Sequence, residues 1–109
     1  MIEDLPESIA AYVRGKNLRD ADLALSGYAG DATVRDESHV HKGHTAIRSW
    51  MAQTAEKYSD HTEIKAVAVE GESVRLTAEV SGTFPGSPVT LTYRFKMKDG
   101  LVQSLEIGS

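Results

Sequence analysis

The stretch SVRLTAEVSGTFPGSPVTLTYRFKMKDGLVQSLEI, residues 73–107, alternates apolar and polar residues through two long runs. Val74, Leu76, Ala78 and Val80 stand against Arg75, Thr77, Glu79 and Ser81. After a break at PGSP (85–88), Val89, Leu91, Tyr93, Phe95 and Met97 stand against Thr90, Thr92, Arg94 and Lys96. Successive side chains of a strand point to opposite faces, so this period of two predicts two long strands, each with one buried face. Lys98-Asp99-Gly100 predicts a hairpin turn into a last strand, LVQSLEI (101–107). There Val102, Ser104 and Glu106 oppose Gln103, Leu105 and Ile107, and the two faces are too similarly mixed to choose the inner one. Upstream, HTEIKAVAVE (61–70) predicts a further strand, joined through a tight turn at Gly71-Glu72.

Before Tyr58 the apolar spacing is helical. Leu5, Ile9, Tyr12 and Val13 form one face of a helix over residues 4–15, with Asp4, Pro6 and Glu7 favouring its start. RDADLALSGY (19–28) predicts a shorter helix capped by Asp20 and ended near Gly27. ATVRD (32–36) reads as a short strand, and HTAIRSWMAQTAEKY (44–58) places Ile47, Trp50, Met51, Ala55 and Tyr58 on a third helical stripe. Helices first and a meander last predict an α+β fold: one domain over 1–109, a cone-shaped α+β barrel with three N-terminal helices packed on a curved, mostly antiparallel sheet. Trp50, Tyr58, Tyr93, Phe95 and Met97 are expected in its core.

Composition narrows the function. The 109 residues suffice for one core, burying about two-thirds of the unfolded surface. A net charge of −4, with no block of Lys and Arg, argues against a nucleic-acid partner. The absence of cysteine removes disulfides, thiolate metal sites and Cys nucleophiles, and suits a reducing cytoplasm. The acidic start MIEDLPESIA does not read as a signal peptide, and no apolar run approaches the ~20 residues of a membrane span. Walker A and G-x-G-x-x-G loops are missing, so no nucleotide cofactor is expected.

The segments NLRDADLALSGYAGDATVRDE (17–37) and KGHTAIRSW (42–50), set in this order of elements, resemble the nuclear transport factor 2-like superfamily, in particular its SnoaL-like proteins. The resemblance implies the cone fold and a homodimer formed through the outer sheet face, here the polar face of Arg75, Thr77, Glu79, Thr90, Thr92, Arg94 and Lys96. It does not fix an activity, because that superfamily holds isomerases, cyclases, hydrolases and carriers. ATVRDE also resembles the ketosteroid isomerase segment that holds the general base, which maps onto Asp36. YVRGKN resembles the segment of its oxyanion-hole tyrosine, which maps onto Tyr12. The third catalytic acid of that family falls on Leu91, so the group that would help hold an enolate is missing there.

The candidate site follows. Asp36, at a strand end and desolvated by Trp50, Leu91 and Tyr93, would have a raised pKa and could abstract an acidic C–H proton; the plain alternative is a solvated carboxylate capping the next loop. Tyr12 lies on a buried stripe, where its hydroxyl would meet a ligand oxygen or a backbone carbonyl. Trp50, Leu91 and Tyr93 are expected ligand contacts, with His41 at the opening. His39, His41 and His44 could hold a metal with Glu37 or Asp36, but the spacing is loose and no metal is expected. Two functions stay open: an isomerase, cyclase or hydrolase acting on a small apolar molecule with Asp36 as base and Tyr12 as donor, or a binding module or structural homodimer with the same fold.

Overall fold

The computed structural model describes residues 5–36 and 38–108; Asp4, expected at the first helix start, and Glu37, weighed as a metal ligand, lie outside them. The described residues form α1 (Glu7–Leu18), α2 (Ala21–Leu25), β1 (Tyr28–Asp36), β2 (His39–Lys42), α3 (Gly43–Tyr58), β3 (His61–Glu70), β4 (Ser73–Ser81), β5 (Val89–Lys98) and β6 (Leu101–Gly108). The strands make one curled, unclosed sheet in the order β2-β1-β6-β5-β4-β3. All neighbours are antiparallel except β1 and β6, which run parallel. The α+β class expected from the change of period is the one observed.

The long alternating runs became strands because their apolar faces share one core. Leu76 of β4 lies opposite Tyr93 of β5, and Val74 opposite Phe95. Phe95 in turn faces Leu105 of β6, and all five are buried. Ile9, Tyr12 and Val13 of α1 and Ile47 and Trp50 of α3 close the other side. The Asp99-Gly100 turn has positive φ at both residues (54° and 79°), as a tight hairpin of matching twist requires.

Several boundaries differ from expectation. β1 begins at Tyr28 rather than residue 32, because pairing with β6 extends it through a break in register between Tyr28 and Thr33. The segment His39–Lys42, to which the sequence assigns no element, pairs with β1 as a short edge strand. On β6, Val102 pairs with Met97 and Ser104 with Lys96, so the chain bulges at Gln103. That extra residue puts Val102 and Leu105 both inside and leaves Glu106 exposed, which simple alternation could not foresee. Met97 beside the bulge and Tyr58 at the end of α3 are half-buried rather than core.

The first helix runs to Leu18, three residues past its expected end. Arg19 adopts the left-handed conformation (φ 60°), and its N–H reaches the carbonyls of Gly15 and Lys16. Asp20 then caps α2 by accepting from the Leu23 N–H at 3.1 Å. This tight corner depends on Gly15, where an added Cβ would lie 2.7 Å from the Asp20 carbonyl oxygen. In an unpacked helix Gly→Ala would stabilise by up to about 1 kcal/mol. Here Gly15→Ala is expected to destabilise by about 1–3 kcal/mol through overpacking, read as a lower urea midpoint at unchanged m; a higher midpoint would show that α1 and α2 are not so closely apposed.

Candidate functional site

Where α3 crosses the ends of β1, β5 and β6, the side chains leave a cavity of about 410 Å³. Asp36, Trp50, Leu91 and Tyr93, four of the residues singled out from sequence, line it together. Val80, Val89 and Ile107 add apolar wall, and Phe84 and Pro85 reach over it from the β4–β5 loop. That loop is fastened to the end of α3: the Thr83 N–H donates to the Tyr58 carbonyl at 2.7 Å, and Phe84 meets the Tyr58 ring edge-on at 5.6 Å.

Asp36 is the last residue of β1, half-buried and opposite Ile107 of β6. Two residues earlier on the same face, Val34 is fully buried, so the strand period carries Asp36 to the core side of the sheet. The Trp50 indole N–H donates to its Oδ2 at 3.2 Å. This bond favours the charged carboxylate and fixes its direction. Trp50 is itself held in place by His41, whose ring stacks on the indole at 5.6 Å between centroids. His41 therefore supports the indole and does not line the cavity.

Two charged residues that the sequence reading left unassigned also line this wall. Lys16 is the next inward position after Ile9, Tyr12 and Val13 on α1, and Asp60 follows the left-handed cap of α3 at Ser59 (φ 48°). Their side chains, 9% and 6% exposed, form a direct ion pair. Arg19 braces Asp60 through Nη1 to Oδ1 at 3.4 Å and Nη2 to the backbone carbonyl at 2.6 Å. The signal in the sequence was a lysine at helical spacing from an apolar stripe; ending the helix at residue 15 hid it. A second groove, of about 400 Å³ between α1–α2 and α3, shares Lys16, Trp50, Thr54 and Asp60 with the cavity but lacks Asp36.

Tyr12 is not brought to the cavity wall. Its ring is fully buried against Tyr28 and Phe95, and its hydroxyl reaches no hydrogen-bond partner among the described residues. Burial pushes its phenol well above the ordinary range, and the neighbouring phenols and the Asp60 and Asp36 charges push the same way. Tyr28 is likewise raised by burial, with the nearby Tyr12 hydroxyl offsetting part of the effect although neither hydroxyl attains hydrogen-bond geometry. Tyr93 is pushed up to about 12 by burial, against a smaller opposing effect of Thr62.

The histidines disperse. His44 sits in the first turn of α3, where Nε2 approaches the Tyr28 and Ala29 carbonyls at 3.0 and 3.1 Å. His39 pairs across the hairpin with Asp36 in register, and His41 turns to Trp50. Among the described residues no three His, Asp or Glu side chains gather at metal-binding range. No helix among them is long and apolar enough to cross a membrane.

Residues 9–105 match the SnoaL-like domain family, and the chain belongs to it. A Sinorhizobium meliloti protein provisionally named a polyketide cyclase is 40% identical, with 95% of each chain covered and a TM-score of 0.92. A Catenulispora acidiphila protein with a ketosteroid isomerase-like fold, solved with trimethylamine, is 19% identical over 95% of this chain and 85% of its own (TM-score 0.83). The epoxide hydrolase/cyclase-like enzyme SalBIII is 19% identical over 94% of this chain and 87% of its own (TM-score 0.79). These last two share the fold. No curated protein matches the chain.

The buried phenols set an alkaline limit on stability. An unfolded tyrosine loses its proton near pH ~10, whereas folded Tyr93 holds it to about 12. The unfolded state therefore binds fewer protons in that window, and stability that is complete below pH ~10 falls as pH rises through about 12. Tyr93 alone accounts for roughly 2–3 kcal/mol at ~1.4 kcal/mol per pH unit, and Tyr12 and Tyr28 add to it. Tyrosinate absorbance and loss of ellipticity are expected to rise together in an alkaline titration. Ionisation of these three phenols in the folded protein near pH ~10 would contradict their burial.

Proposed function

We propose that the cavity binds a small apolar carbonyl compound and that Asp36 serves there as the general base of a cofactor-independent proton transfer, as isomerisation or ring closure requires. The observation that carries this reading is a carboxylate at the wall of a mainly apolar cavity, aimed by the Trp50 N–H at 3.2 Å. A volume of about 410 Å³ suits a small organic ligand. Carboxylates shielded from water gain basicity, and a positioned base contributes about 10²–10⁴-fold. The similarity to a protein provisionally named a polyketide cyclase supports a carbonyl-bearing substrate. Steroid isomerisation itself is not proposed, because Leu91 stands where a third acid would be needed. Nor is the donor role expected of Tyr12, whose hydroxyl is sealed below the wall.

One observation favours a second reading, a binding module without chemistry. The Trp50 hydrogen bond stabilises the Asp36 carboxylate and so weakens it as a base. Deuterium exchange into the α-carbon of cyclic ketones and 1,3-diketones, followed by proton NMR, separates the two. As an enzyme, the protein accelerates exchange of at least one such compound, and Asp36→Asn lowers that rate by about 10²-fold or more while binding survives. Binding without exchange in the unaltered protein would leave the module, and equal exchange by Asp36→Asn would exclude Asp36 as the base.

A further inference from the structure

Removing a proton beside a carbonyl moves negative charge onto the carbonyl oxygen, and an apolar cavity must supply a donor for it. Two of the donors at this wall are already engaged. The Trp50 N–H goes to Asp36, and the Thr54 hydroxyl donates to the Trp50 carbonyl at 2.9 Å. Tyr12 is sealed off and Leu91 has nothing to donate. Lys16 differs. An ammonium carries three N–H donors, and among the described residues Asp60 is its side-chain partner. At 9% exposure its charge is poorly screened by water.

We propose that the Lys16 ammonium, anchored by Asp60, is the cation that stabilises the oxyanion formed when Asp36 takes a proton from the bound carbonyl compound. The inference rests on the proposed role of Asp36 and adds the group that the sequence comparison lacked at Leu91. In the step, the Asp36 carboxylate bonds the α-proton, the C–H pair becomes the C=C bond, and the carbonyl π pair moves onto oxygen beside Lys16. Where a C=C bond adjoins the α-carbon, the dienolate takes the proton back from Asp36 at the γ-carbon as the carbonyl reforms; otherwise the enolate carbon attacks an internal carbonyl, whose new alkoxide receives the proton. Asp60 is a positioning residue: it fixes the ammonium, while Arg19 shares its negative charge and leaves Lys16 incompletely neutralised.

The probe is 4-nitrophenol, whose phenolate mimics the enolate oxygen and is yellow. Asp36→Asn is the background, because a neutral amide imitates the base once it holds the proton. In that protein the bound phenol is expected to ionise at least about 1 pH unit below its free value, the effect of a cation within hydrogen-bond reach. Adding Lys16→Met alone would strand Asp60 beside Arg19. The decisive variant therefore adds Lys16→Met with Asp60→Asn, and Lys16→Arg is the conservative rescue. The shift should vanish in the former and largely persist in the latter, with 4-nitrophenol still bound by both. A shift that survives without Lys16, or is never seen in the Asp36→Asn protein, overturns the assignment of Lys16 and leaves the deuterium-exchange test of Asp36 standing. Failure of 4-nitrophenol to bind any of these proteins overturns the cavity reading and this inference together.

Discussion

The last turn of α1 is stitched to the open edge of the sheet by polar groups, and the shape of the cavity depends on that seam. Lys16 pairs with Asp60, Arg19 holds both the carboxylate and the carbonyl of Asp60, and Asn17 binds the next strand residue but one. The Asn17 side chain donates to the Thr62 carbonyl and accepts from the Thr62 N–H, each at 2.8 Å, and so acts as a one-residue substitute for a neighbouring strand. β3 is the edge of the sheet, where unpaired backbone groups would otherwise face water or another chain. With α1 fastened there and α3 lying over β1, the curled sheet is spanned from one side to the other.

Such a seam is costly to build from charges. Desolvating an ammonium and a carboxylate offsets most of their attraction, and an apolar pair of similar volume often serves stability as well. Its presence beside Asp36 therefore makes more sense as chemistry than as glue. It gives a cavity of mainly apolar lining two carboxylates and one ammonium in fixed directions, with low surrounding dielectric to strengthen each interaction. Trp50 plays the corresponding part on the opposite side, giving its N–H to Asp36 and its ring face to His41.

The fold was legible because β4 and β5 carry a period of two and the helices an apolar stripe. β4 and β5 begin where alternation begins, whereas β3 is broken by a register shift between Ile64 and Ala66. What alternation could not show were its interruptions. Gln103 shifts the face of everything before it in β6, and β1 owes its first half to parallel pairing with a strand some 70 residues later. Of the site, Asp36 was readable at its strand end, Trp50 and Tyr93 as apolar positions of a helix stripe and an alternating strand, and Leu91 through the family resemblance. Lys16 and Asp60 were not, since their meaning lies in a contact across 44 residues. Tyr12 was legible as buried, but spacing along a helix cannot tell a hydroxyl at a cavity from one sealed beneath it.

The claim that Asp36 faces a ligand is tested most directly by a carboxyl-carbon NMR titration of that residue with and without bound 4-nitrophenol. A phenol bound in the cavity displaces water from the carboxylate and offers it a hydrogen-bond donor, so it should move the Asp36 midpoint from its ligand-free value while aspartates outside the cavity, such as Asp99, keep theirs. An Asp36 midpoint unmoved by a phenol that is demonstrably bound would contradict the account. The carboxylate would then be part of the Trp50 contact and nothing more.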